Sequence, residues 1–163
     1  MIGIALTVHV LHRGEWRLAH DLMAAADRHR AEHEVRHVAH DLARWSHEHV
    51  QRLAAVGAEY GIDLDGPAGE DADGVLAALR RETAGAPGQN PDPGLLLLRD
   101  LRELHLAAAE NSLHWEMLAQ AAQAARDSAL LSVVSDCHPR TLRQMRWTNT
   151  MIKNLSPQIL TAL

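Results

Sequence analysis

Apolar residues recur at steps of three and four from the start of the chain: Ile4, Val8, Leu11, Leu18, Leu22 and Ala25, with Glu15 interrupting the stripe. That period predicts a first helix from about Ile4 to His29. A second helix, Glu34 to Tyr60, carries Val35, Val38, Leu42, Trp45, His49, Leu53 and Val56 on one face and meets Gly61, a suitable C-cap. A turn belongs near residues 29–33, because one unbroken helix from Ile4 to Tyr60 would be about 85 Å long with nothing for its stripe to pack on. From Gly61 to Gly94 the composition shifts to Gly, Pro, Asp and Ala, with one short helix expected at Val75–Thr83 after Asp73. This connection is long enough to cross a bundle of about 40 Å. A third helix starts after Pro93 and continues to about Ala125; a fourth, capped by Asp127 or Ser128, runs to about Leu155 and stops before Pro157. The expected fold is an all-α four-helix bundle with a long connection between helices two and three. It forms one domain, 1–163: a hairpin over 4–60, a linker over 61–94 and a hairpin over 95–157.

Composition agrees with helix. Buried positions draw on Ala and Leu, and the chain has no Phe and one cysteine, Cys137, so no internal disulfide can form. The formal charge of −5, with basic and acidic residues interleaved, gives no reason to expect nucleic acid as a partner. The opening MIGIALTVHVL lacks a basic leader and is interrupted by His9, unlike a signal peptide or a membrane span, so no membrane association and a cytoplasmic location are expected. Histidine is the outlier: protonating all 12 would move the formal charge from −5 to +7.

Two core-facing carboxylates and two core-facing imidazoles are the candidate chemistry. Glu110 has Leu106, Leu113 and Met117 at the offsets where Glu15 has Leu11, Leu18 and Leu22. His138 has Leu131, Val134, Leu142 and Met145 where His49 has Leu42, Trp45, Leu53 and Val56. A competing repeat, Arg44-Trp45-Ser46 with Arg146-Trp147-Thr148, is incompatible with this alignment. A core charge is less often accidental than a surface triplet, so the Glu/His version is preferred. Four long helices with inward carboxylates and imidazoles resemble the ferritin-like superfamily, whose di-iron site takes a Glu from helices one and three and a Glu-x-x-His pair from helices two and four. The resemblance implies Glu15, Glu110, His49 and His138 as metal ligands. The chain departs from the family at Ser46 and Ser135, where the family has Glu. The remaining set implies one Fe, Mn or Zn ion, with redox, storage or oxygen chemistry following from the resemblance alone. Against this stands a bundle in which the same groups pair structurally and no metal binds: a non-catalytic protein that forms a homodimer through leftover apolar surface. The sequence specifies no small-molecule substrate.

Register along the bundle supports the first pair better than the second. With turns at about 32 and 127, Glu15 and His49 each lie 17 residues from the first turn, and Glu110 lies 17 from the second. His138 lies only 11 from it, roughly 9 Å off level. Glu116 for His138, or His114 as the neighbour of Glu110, are the alternatives. The stretch His33-Glu34-Val35-Arg36-His37 also matches the HExxH signature of zinc metallopeptidases, yet its obvious later carboxylate, Glu59, is about 33 Å away along the same helix. A histidine-rich solvated face that binds metal adventitiously is the competing account of His29, His33, His37 and His40.

Overall fold

The computed structural model describes residues 2–64 and 92–163. Among the described residues there are four helices and no strand: α1 Ile2–Arg28, α2 His33–Glu59, α3 Pro93–Ala125 and α4 Ser128–Thr161. The expected short helix at Val75–Thr83 lies outside the described residues. Local chemistry accounts for the ends. Asp92 caps α3 by accepting from the backbone N–H of Gly94 (2.8 Å) and Leu95 (3.1 Å), with Pro93 in the first turn. Asp127 caps α4 through the Leu130 N–H, while Gly61 takes a positive φ of 79° just beyond α2.

α4 does not stop before Pro157, as the sequence suggests, but continues to Thr161. The added turn brings Ile159 onto Gly94 at the start of α3, where a Cβ on Gly94 would come within 2.8 Å of Ile159. Packing against the neighbouring helix offsets the backbone hydrogen bond that proline cannot donate.

α1 and α2 form one close hairpin and α3 and α4 another; the hairpins join along α1 and α3, and most loosely along α2 and α4. Arg28, at the end of α1, reaches Asp100 near the start of α3, and Glu15 meets Trp115, so these helices run antiparallel. Arg52 to Asp136 and Arg140 to Glu48 give the same sense to α2 and α4. The Tyr60 hydroxyl donates to Asp127 at one end of the bundle, while Gly94 and Ile159 meet at the other. Leu64 and Asp92, on either side of the connection, therefore lie at opposite ends. The direction is up, down, down, up, which requires a single long crossover between α2 and α3. No described helix is long and apolar enough to cross a membrane.

The apolar core is split. One cluster gathers Ile4, Val8, Leu11, Leu53, Val56, Leu118 and Leu130; a second gathers Leu18, Leu22, Leu42, Leu104 and Ala108. Glu15 sits on α1 between them. The inward residues of α3 are Leu97, Asp100, Leu101, Leu104, Ala108, Asn111, Trp115, Leu118 and Ala122, and those of α4 are Leu130, Val134, Cys137, Thr141, Gln144, Thr148 and Met151. This corrects the expected phase of the second hairpin. Leu106, Leu113 and Met117 are 49%, 62% and 55% exposed, so the stripe containing Glu110 is the outer face of α3.

Candidate functional site

The corrected phase reveals a regular internal relation. Most inward residues of α2 have an inward counterpart 95 positions later on α4, among them Leu42 and Cys137, Ser46 and Thr141, His49 and Gln144, and Leu53 and Thr148; Ala43 and Gly57 do not. Between α1 and α3 the interval is 96, pairing Val8 with Leu104, Glu15 with Asn111 and Leu22 with Leu118. At the middle level the inward polar groups are thus Glu15, with buried His12 one turn before it, then Ser46 and His49 one turn apart, then Asn111, then Thr141 and Gln144 one turn apart. Glu15 therefore corresponds to Asn111 instead of Glu110, and His49 to Gln144 instead of His138. Gln144 also lies 17 residues from the turn at 127, the distance at which register alone would have sought it.

One side chain from each of the other three helices converges on the Glu15 carboxylate, which is completely buried. Trp115 Nε1 donates to Glu15 Oε1 at 2.9 Å and Thr141 Oγ1 donates to the same oxygen at 3.4 Å. His49 Nδ1 is 3.3 Å from Oε1, close enough for charge attraction but off the line of a hydrogen bond, so both His49 ring nitrogens and Glu15 Oε2 lack a hydrogen-bond partner. The His49 and Trp115 rings meet edge to face, with centroids 5.7 Å apart. Beside this group, Gln144 Nε2 donates to Ser46 Oγ at 2.9 Å and to the Leu42 carbonyl at 3.1 Å, linking α2 to α4. Asn111 packs so closely on Gly14 that a Cβ there would collide with its side-chain oxygen. The Asn111 amide nitrogen and Gln144 Oε1 are also buried without partners. Buried polar groups are ordinarily satisfied, so a layer in which several lack a protein partner is the foremost candidate site among the described residues.

The remaining candidates lie elsewhere. Glu110 is exposed on the outer face of α3, and His114 is half-buried. His138 accepts from or donates to Ser112 Oγ at 2.9 Å and lies 3.9 Å from Glu116, the neighbour that register offered as an alternative. His33, Glu34 and His37 are exposed on the first two turns of α2. Among the described residues no three His, Cys, Asp or Glu side chains are grouped so as to hold a metal ion.

Solvent approaches the layer between α2 and α4, the loosest helix pair. A groove of about 570 Å³ there is lined by Glu48, His49, Gln51, Arg52, Ala55, Asp136, Cys137 and Arg140, a volume within the range of small-molecule sites. Two half-exposed ion pairs cross it in opposite senses, Arg52 to Asp136 at 3.2 Å and Arg140 to Glu48. Arg140 also rests over the Trp45 ring, 5.5 Å from its centroid. Burial pushes the Cys137 thiol up to about 12, with Arg52 opposing and Glu15 and Asp136 reinforcing the effect, which disfavours the thiolate.

No family model, curated protein or solved structure matches the chain.

Proposed function

We propose that this chain is a ferritin-like four-helix bundle that binds a small dipolar molecule, of the amino-acid type, where a di-metal centre would otherwise sit. The family reading is supported by the single long crossover and by inward polar groups from all four helices at one level, those on α2 and α4 being pairs spaced i, i+3. The donor chemistry does not fit two iron ions. Only Glu15 and His49 keep a ligand's character; Ser46, Asn111, Thr141 and Gln144 are neutral and lack the anionic charge that such a cluster needs.

The observation that carries the reading is His49, 1% exposed, with both ring nitrogens free of hydrogen bonds and its side chain lining the groove. A molecule bound in the groove can hydrogen-bond the imidazole below it once the side chains that cover the ring move aside. Above it, Arg52 and Arg140 would receive a carboxylate, and Glu48 and Asp136 a cationic group. The two crossing pairs are exposed and individually worth about 0–1 kcal/mol, so a ligand carrying both signs can exchange with them at little cost. Calorimetric titration of untagged protein with a panel of free amino acids tests this. At least one is expected to bind saturably, and His49→Ala to weaken it at least about tenfold, the weight of one hydrogen bond made in a desolvated site. Binding to none of them, or binding indifferent to His49→Ala, would end this reading.

A further inference from the structure

We propose that the outer face of α3 is a self-docking surface, on which a second copy of this chain packs antiparallel about a two-fold axis passing Leu106. The face is apolar in a place where the bundle has no use for it. Leu106, Leu113 and Met117, 49%, 62% and 55% exposed, follow one another at helical spacing on the side opposite Leu104, Ala108 and Trp115. A contiguous apolar stripe of this kind is the surface feature that protein association uses.

Charge order selects the occupant. Along the centre of this face Arg99 and Arg102 precede Leu106 and Glu110 follows it, with Glu103 at the flank beside Arg102. An antiparallel copy centred on Leu106 brings Arg102 level with the partner's Glu110, and by symmetry Glu110 level with the partner's Arg102. A partner of uniformly acidic or uniformly basic character would meet like charge at one end. Within its own chain Arg102 is held by Glu103 at 2.7 Å, both largely exposed, a pair weak enough to be exchanged. α3 has 33 residues, about 50 Å of helix, enough length for a helix-on-helix seam of the size of specific interfaces.

Sedimentation equilibrium over a dilution series provides the test, with circular dichroism to verify that each variant is folded. The wild type is expected to dimerise reversibly. Leu106→Glu sets two carboxylates against each other on the axis and should weaken association at least about tenfold. Arg102→Glu and Glu110→Arg should each weaken self-association, while an equimolar mixture of the two should recover it as a heterodimer, since both cross-pairs are then complementary. A wild type that stays monomeric, a dimer indifferent to Leu106→Glu, or a mixture no more associated than its components would each overturn the proposal.

Discussion

Replacing Trp115 with Ala is expected to destabilise the protein by about 4–6 kcal/mol, a large share of the 5–15 kcal/mol typical of a domain. Trp115 is the largest fully buried side chain of the core; it fills the space between α1 and α2 at the level of the polar layer. Truncation leaves a cavity, and cavity formation alone on losing a buried Trp costs about 3–5 kcal/mol. It also removes the 2.9 Å hydrogen bond to Glu15, whose carboxylate has no other oxygen already satisfied. Trp115→Phe separates the two contributions: most of the volume remains and only the N–H is lost, so the expected cost falls to about 1.5–3 kcal/mol, the range for a hydrogen bond to a charged group. Urea unfolding followed by circular dichroism measures both. A Phe variant as stable as the wild type would mean that the indole N–H does not support the Glu15 carboxylate.

Asp100→Asn is expected to cost about 2–3 kcal/mol at neutral pH, and the cost should vanish in acid. Asp100 Oδ2 receives Arg28 Nε at 2.9 Å and His29 Nε2 at 2.7 Å, and Arg99 lies 3.3 Å from Oδ1. These contacts tie the end of α1 and its turn to α3. The magnitude stays below the 3–5 kcal/mol of a fully buried pair because Arg28 and Arg99 are nearly half exposed and keep some hydration. Burial alone would raise the Asp100 carboxyl, but the hydrogen bonds from His29 and Arg28 outweigh it and hold the carboxyl below its ordinary value. A carboxylate depressed in the folded state contributes stability that is complete above its unfolded value, about 3.9, and is lost as pH falls through the folded value. The difference between wild type and variant should therefore hold from neutral pH down to about 5 and close below about 4. Urea midpoints at a series of pH values give the comparison; a gap unchanged in strong acid would show that the charge of Asp100 is not its source.

The start of α3, the start of α4 and the end of α2 could be read from local chemistry, because Pro93, Asp127 and Gly61 act through short-range backbone effects; the end of α4 could not, since packing against Gly94 carries it past Pro157. The inward faces of α1 and α2 could be read as well, since Glu15 and His49 interrupt stripes that are otherwise apolar. The second hairpin could not. α3 has apolar residues on two sides, and its buried side contains Asp100 and Asn111 while its exposed side contains Leu106, Leu113 and Met117. α4 turns Thr141, Gln144 and Thr148 inward to face a polar layer, so a search for apolar periodicity selects Leu142, 44% exposed, and takes His138 with it. Hydrophobic spacing finds the inside of a helix only where the inside is greasy. Equal distance from the turn, which depends on helical rise and not on polarity, selects Gln144, a neutral residue that a search confined to the ionisable alternatives Glu116 and His114 passes over.

The most direct measurement is the metal-to-protein ratio of protein prepared without a histidine tag and dialysed extensively. Because no three His, Cys, Asp or Glu side chains among the described residues group to hold a metal ion, the expected ratio is far below one ion per chain, the same for the wild type and for Glu15→Gln. A ratio of one or two that Glu15→Gln abolishes, with the fold intact, would contradict the account and place a metal at Glu15.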